Sequence, residues 1–130
     1  MRFIFNFIDD KGNILFDQSI GWIDILHNES CGYRLIYSNN KGTNYIDKEG
    51  NILSPEWFPI GYDFENGFAI VKKKFNGEYY VENYLKTDGT FLSDQWFYAV
   101  KVFDEDGFAD VLKTKDGEWC KIDSEGNIHE

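Results

Sequence analysis

The fold is decided by a decapeptide, NYIDKEGNIL at residues 44–53, because close copies of it recur along the chain. Three further segments align with it without a gap: NFIDDKGNIL at 6–15, NYLKTDGTFL at 83–92 and CKIDSEGNIH at 120–129. The central glycines are spaced 38, 39 and 37 residues apart; they are Gly12, Gly50, Gly89 and Gly126. A period this constant indicates one supersecondary unit that is used several times.

Each copy of the decapeptide is predicted to form a β-hairpin. An aromatic or aliphatic run leads into a short polar turn, and apolar residues resume directly after it. The glycine can adopt a positive φ in such a turn. The acidic residues ahead of the glycines, such as Asp47, Asp88 and Asp123, supply side chains that bond the turn backbone. We therefore interpret these acids as turn formers rather than as catalytic carboxylates.

Two further elements follow the hairpin in each unit. An aromatic pair, Trp57-Phe58 or Trp96-Phe97, stands seven residues after its glycine. The segments GFAIV at 67–71 and GFADV at 107–111 then alternate with the period of two that is typical of a strand. No stretch keeps a helical apolar stripe that is free of glycine, so the sequence predicts no helix of ordinary length.

The sequence therefore predicts an all-β fold built from antiparallel β-hairpin repeats of about 38 residues. The single domain 1–130 divides into units at about 5–42, 43–81 and 82–118 and a partial unit at 119–130. A propeller normally needs about four blades to close, so we expect the units to be stacked as an open meander or a short solenoid. The edges of such an array need covering. We expect the charges of Lys72, Lys73, Lys74 and Lys113 to protect these edges.

The full unit also follows a longer pattern. It runs aromatic-x-[Tyr/Phe]-[Ile/Leu]-Asp-x-x-Gly-x-[Ile/Phe], then an aromatic pair, then Phe-x-x-Gly-[Phe/Tyr]-Ala-x-Val, from about Phe5 to Ile128. This pattern resembles the bacterial WG-containing repeat family. Where that family has its Trp-Gly dipeptide, the chain has Thr43-Asn44, Glu82-Asn83 and Trp119-Cys120, so it is similar to divergent members. The resemblance implies a binding module or a repeat scaffold and specifies no activity.

Composition limits the partners of the chain. The formal net charge is −10, which opposes binding to the phosphates of nucleic acid. No apolar stretch approaches the roughly 20 residues of a membrane span. The segment 1–10 lacks the apolar core of a signal peptide. We therefore predict a cytoplasmic protein that binds neither nucleic acid nor membrane.

No catalytic site, cofactor or metal site is predicted. His27 lies in the most divergent unit and His129 is penultimate in the sequence, so neither is expected to activate a nucleophile. Cys31 and Cys120 lack the spacing of a zinc site and lie in β-type apolar runs, where we expect small hydrophobes with free thiols. The segment DEDG at 104–107 lacks the further ligands of a calcium loop.

Aromatic residues make up 18% of the chain and could fill the core or form a surface. The recurrence of Trp57-Phe58 at Trp96-Phe97 favours the core for those four. The less regular aromatics are candidates for an exposed interaction surface: Trp22, Tyr33, Tyr37, Tyr79, Tyr80 and Tyr98. A site is also expected where the units disagree, at 22–33 and at the exchange of Ile70 for Asp110, whose face we expect to be solvent-exposed.

Three non-enzymatic functions agree with these features. The leading hypothesis is a non-catalytic repeat module that interacts with a protein or peptide, with a second copy of the chain as one candidate partner. The first alternative is a carbohydrate-binding module, because exposed aromatic rings can stack on sugars. The second is an acidic protein that neutralises a basic toxin through charge complementarity. An enzyme would need a deep pocket with two or more acids of shifted pKa.

Overall fold

The computed structural model describes residues 2–3, 23–26 and 29–130, and the structural statements below refer to this part of the chain. Its strands form three antiparallel sheets, and the described residues contain no helix. The prediction of an all-β, antiparallel fold is therefore confirmed. Accordingly, this part of the chain offers no apolar helix that could span a bilayer. The hairpin predicted at 6–15 lies outside the described residues.

Strands that follow one another in the chain are neighbours in each sheet. The first sheet contains β1 (Arg2–Phe3), β2 (Ile23–Ile25), β3 (Arg34–Ser38) and β4 (Gly42–Ile46). The second contains β5 (Ile60–Gly61), β6 (Phe68–Phe75) and β7 (Tyr79–Lys86). The third contains β8 (Ala99–Val100), β9 (Phe108–Leu112), β10 (Trp119–Asp123) and β11 (Ile128–His129). The central hairpin, β6–β7, has the longest strands.

The acids of the decapeptide turns bond the turn backbone, as predicted. Asp47 Oδ1 accepts hydrogen bonds from the backbone N–H groups of Glu49 and Asn51, both at 2.9 Å. Asp123 Oδ1 likewise accepts hydrogen bonds from the backbone N–H groups of the residues two and four positions later in the chain. The three described turn glycines all have positive φ; they are Gly50, Gly89 and Gly126. These turns therefore close through local chemistry that the sequence encodes.

One cysteine differs from its prediction. Cys31 is exposed and lies in a turn, because it adopts a φ of 54° and Gly32 after it adopts a φ of 86°. Consecutive residues in the left-handed region reverse the chain and cannot belong to a strand. Cys120 does lie in a strand, β10, and is half-buried. Both cysteines are unpaired, as expected.

Two clusters of the apolar core join consecutive sheets, and a third, of Ile23, Ile36 and Ile46, lies within the first sheet. One cluster combines residues from the first two sheets and the segments between them: Leu35, Tyr45, Phe58, Phe64, Ala69, Val71 and Leu85. Another combines the second and third sheets: Tyr84, Phe97, Phe103, Ala109, Val111 and Ile122. Phe58 and Phe97 are fully buried, which confirms the core prediction for these two residues. Their neighbours Trp57 and Trp96 are only half-buried.

Two buried tyrosines connect consecutive sheets through the same contact. Tyr45 Oη donates a hydrogen bond to the carbonyl oxygen of Tyr62, and Tyr84 Oη donates one to the carbonyl oxygen of Lys101. Each bond joins residues 17 positions apart at a length of 2.5 Å. Burial is the main cause that raises the pKa of both phenols above its ordinary value. Nearby carboxylates, such as Asp63 beside Tyr45, raise the pKa further.

The turn glycines also lie against a neighbouring carbonyl group. A Cβ atom added at Gly89 would be 2.6 Å from the carbonyl oxygen of Leu53, and one at Gly126 would be 2.5 Å from that of Leu92. Gly107 has a similar φ of 85° but would meet nothing within 4 Å. Glycine at these two turns, Gly89 and Gly126, therefore serves two requirements, a positive φ and a close backbone approach.

We expect Gly89→Ala to destabilise the protein more than Gly107→Ala does. Both variants place a side chain in the left-handed region, at a cost of about 1–2 kcal/mol. Only Gly89→Ala also forces its Cβ against Leu53, which adds about 1–3 kcal/mol. Urea denaturation followed by tryptophan fluorescence measures the free energy of unfolding. Equal losses for the two variants would show that the contact with Leu53 is unimportant.

We also expect the stability of the protein to fall above about pH 10, where tyrosines of the unfolded chain ionise. The pKa of Tyr45 and Tyr84 is raised in the folded chain, so their contribution is complete below the unfolded pKa and is lost as pH rises through the folded pKa. The double variant Tyr45→Phe/Tyr84→Phe should therefore lose less stability between neutral and alkaline pH than the parent protein. Identical losses in urea denaturation would contradict this.

Candidate functional site

Two of the aromatic residues selected from the sequence lie together on one side of the central hairpin. The ring centroids of Tyr79 and Tyr98 are 5.8 Å apart. The ring centroid of Phe75 lies 5.6 Å from that of Tyr79. Phe75 and Tyr79 are 47% and 42% exposed. Three rings in contact, two of them largely exposed, mark this surface as the candidate site.

These rings line a groove of about 700 Å³, which we name the lysine–aromatic groove. Its lining residues are Lys73, Phe75, Tyr79, Val81, Trp96, Tyr98, Lys113, Thr114 and Lys115. They come from the central hairpin, from the segment that follows β7 and from the segment that follows β9. The volume lies within the range of about 300–1,000 Å³ that is usual for ligand sites.

The turn of the central hairpin fixes which side chains enter the groove. Asn76 and Gly77 have φ values of 53° and 71°, and Glu78 N–H donates to the carbonyl oxygen of Phe75 at 3.1 Å. Positive φ at both central residues is the conformation that an Asn-Gly pair favours in a hairpin. The resulting register places Phe75 opposite Tyr79. Both rings therefore lie on the same face of the hairpin.

Two of the groove's three lysines have a defined partner. Lys73 Nζ lies 4.2 Å from the ring centroid of Trp96. Lys113 Nζ lies 3.6 Å from Glu130 Oε1, and both side chains are exposed. The third is Lys115, and no acidic residue lines the groove. The site therefore offers apolar rings together with positive charge and hydrogen-bond donors.

The structure separates the other predicted surface aromatics from the groove. Tyr33 is half-buried against Phe64, with ring centroids 5.5 Å apart, and its hydroxyl donates to the carbonyl oxygen of Thr87 at 3.0 Å. Tyr80 lies on the opposite face of the central hairpin from Tyr79. Tyr37 is 36% exposed and lies on β3 in the first sheet. Trp22 lies outside the described residues.

Sequence reasoning missed the groove's Phe75, Trp96 and lysines. Phe75 is the last residue of β6 and directly precedes the Asn-Gly turn. Trp96 was assigned to the core because its dipeptide recurs, yet it is half-buried and lines the groove. Period-two alternation from the buried Val71 would have placed Lys73 and Phe75 on one face.

The opposite face of the central hairpin carries a second groove of about 460 Å³. Lys72 and Glu82 meet there at 3.1 Å, and Glu82 Oε1 accepts a hydrogen bond from Val100 N–H at 2.8 Å. Lys72 is thus paired within this groove, whereas it was expected to cover an exposed sheet edge. Tyr62, Asp63 and Glu65 are among the other lining residues. Its charges are of both signs, and its lysine is already paired with Glu82.

The remaining sequence candidates form local structure. Asp104 Oδ1 accepts hydrogen bonds from the N–H groups of Asp106 and Phe108, so the segment 104–107 is a turn. His129 Nε2 lies 2.8 Å from Asp123 Oδ2, and this bond is the main cause that lowers the pKa of Asp123 to about 2. No cluster of three metal-binding side chains occurs in the described residues. His27 lies outside them.

The exchange of Ile70 for Asp110 separates an apolar surface from a polar one. Ile70 packs at the edge of the cluster that joins the second and third sheets and lines the second groove. Asp110 is 39% exposed and forms an ion pair with Lys121 at 2.8 Å. Both residues are half-buried, so the face that we expected to be solvent-exposed is exposed only in part. Neither residue lines the lysine–aromatic groove.

Comparisons with protein-family models, with curated proteins and with solved structures find no match for this chain.

Proposed function

We propose that this protein is a non-catalytic interaction module, a divergent member of the WG-containing repeat family, which binds a peptide or a segment of another protein in the lysine–aromatic groove. The observation that carries this proposal is the exposure of Phe75 and Tyr79 inside a concave site. Aromatic rings have much to gain from burial, so a bound ligand that covers them is stabilised by a large apolar contact area.

The inclination of the rings favours a peptide over a sugar. The ring planes of Phe75 and Tyr79 are inclined by 41°, and those of Tyr79 and Tyr98 by 49°. A sugar ring stacks best on a flat aromatic face, whereas inclined rings form the walls of a cleft. A cleft of this kind accommodates an inserted side chain, as the central pockets of protein interfaces do.

The scaffold of this module is an open array of stacked units, with boundaries at about 43, 82 and 119. Several recurring contacts support it: the two tyrosine hydroxyl bonds, the two turn glycines against leucine carbonyls, and the clusters that join consecutive sheets. In such arrays each unit contacts its neighbours. The array holds the central hairpin rigidly, and this hairpin carries the binding residues.

The carboxyl groups support a non-catalytic role. Among the described residues, the carboxyls whose pKa departs from its ordinary value all shift downward; they are Asp47, Asp88, Asp110 and Asp123. A general acid that works near neutral pH needs a raised pKa instead. These four carboxyls lie at turns or in an exposed ion pair, and the lysine–aromatic groove contains none of them.

We expect peptides selected from a displayed random library to lose at least about tenfold in affinity for the double variant Phe75→Ala/Tyr79→Ala, because central aromatic residues dominate binding energy. Tyr62→Ala is the matched control, since Tyr62 is 47% exposed and lines the second groove. The measurement is fluorescence anisotropy with the selected peptides. Thermal denaturation verifies that the variants are folded.

Two results would contradict this proposal. Selected peptides that bind the double variant as tightly as the parent protein would place the binding site elsewhere. An oligosaccharide that binds in a glycan array, while no peptide is selected, would make the carbohydrate-binding alternative the better one if its binding needs Phe75 and Tyr79.

A further inference from the structure

The charge of the lysine–aromatic groove is opposite to that of the protein. The formal net charge of the chain is −10, yet the groove is lined by Lys73, Lys113 and Lys115 and by no acidic residue. Lys73 belongs to β6, whereas Lys113 and Lys115 follow β9, so the cations enter from two separate elements. A local positive site on an acidic protein favours a ligand with a few negative groups, because the remaining surface repels a long polyanion.

We infer that the occupant of the groove is an acidic peptide segment in which an aromatic or large aliphatic side chain is flanked by Asp or Glu. This inference rests on the proposed function and names the chemistry of its ligand. The apolar side chain packs against Phe75, Tyr79 and Tyr98, and the neighbouring carboxylates pair with the lysines. Carboxylates are the natural partners of ammonium groups in peptides, and their bonds are charge-assisted.

The ion pair of one groove lysine supports this inference. Glu130 Oε1 lies 3.6 Å from Lys113 Nζ, and the two side chains are 76% and 36% exposed. An exposed pair of this kind is weak, so a carboxylate of the ligand can replace Glu130 at little cost. The position of Lys113 is thus already compatible with a bound carboxylate.

The ammonium group of Lys73 is held in position in the absence of a ligand. Lys73 Nζ lies over the ring of Trp96 at 4.2 Å, which is within cation–π distance. The contact leaves N–H groups of the ammonium directed away from the ring for a carboxylate. Because the side chain is already restricted, it loses less conformational freedom on binding.

The test compares three short fluorescein-labelled peptides that share one tryptophan and differ only in its neighbours: Asp and Glu, Asn and Gln, or Lys. Fluorescence anisotropy measures their affinity for the parent protein. We expect the acidic peptide to bind at least about tenfold more tightly than the amide peptide, and the basic peptide to bind most weakly. Added salt should weaken the binding of the acidic peptide alone. The Debye length is about 8 Å at physiological ionic strength, and added salt shortens it and so screens the attraction between carboxylates and lysines.

A matched pair of triple variants shows whether local charge is responsible. Lys73→Gln/Lys113→Gln/Lys115→Gln removes the groove's cations, and Lys41→Gln/Lys48→Gln/Lys101→Gln removes three exposed cations elsewhere. Both variants have the same net charge. The groove variant should bind the acidic peptide about tenfold or more weakly, and the control variant should bind it within about threefold of the parent protein.

The outcomes separate this inference from the proposed function. Equal affinity for the acidic and amide peptides, with both lost in Phe75→Ala/Tyr79→Ala, would overturn the acidic preference and leave the interaction module standing. Failure of all three peptides and of the displayed library would overturn both proposals. Self-association in light scattering that the groove variant abolishes would make a second copy of the chain the occupant, and the inference would fall.

Discussion

The pairing register of the central hairpin determines the surfaces on both of its sides. Lys73 pairs with Val81 and Phe75 with Tyr79, so these four side chains share one face. Lys72 pairs with Glu82 on the other face. Since successive residues of a strand alternate between faces, a slip of one residue would move every one of these side chains to the wrong side. The Asn-Gly turn fixes the register, and the groove, the two core clusters that contain residues of this hairpin and the Lys72–Glu82 pair depend on it.

Local features of the fold were predictable because neighbouring residues determine them. A turn glycine needs a positive φ, and Asp47 or Asp123 bonds the backbone two to four residues away. Alternation in GFAIV and GFADV likewise identified parts of β6 and β9. Cys31 shows the limit of this reasoning. Its apolar neighbours resembled a strand, but the residue before Gly32 belongs to a turn whose geometry the pattern did not reveal.

The groove was only partly predictable because it combines residues that are distant in sequence. Tyr79 and Tyr98 were selected because their positions do not recur, yet nothing local indicates that their rings meet. Trp96 follows the repeat and still lines the groove, because the ring of its partner Phe97 takes the buried position. Lys113 was expected to protect a sheet edge; its contribution to the groove depends on where the segment after β9 lies. Recurrence thus identified scaffold positions better than it excluded binding positions.

Differences between the aligned units explain why the groove lies on the central hairpin. The strands β6 and β7 each have eight residues, whereas β3, β4, β9 and β10 have five, so the central hairpin extends further and carries Phe75 and Tyr79 near its end. On β9 and β10, the ion pair of Asp110 and Lys121 occupies the cross-strand position of Ile70 and Tyr84.

That polar exchange makes the outer face of the third sheet a poor site for an apolar ligand, because docking there would require an exposed ion pair to lose its water. The central hairpin instead presents apolar rings near its end. Phe75 and Tyr79 already contact each other, and Lys73 is already placed over Trp96, so these groove residues are held by their neighbours without a ligand. Side chains that are ordered in advance lose little entropy on binding. The extended hairpin therefore combines exposed rings near its end with strand residues that pack against both neighbouring sheets.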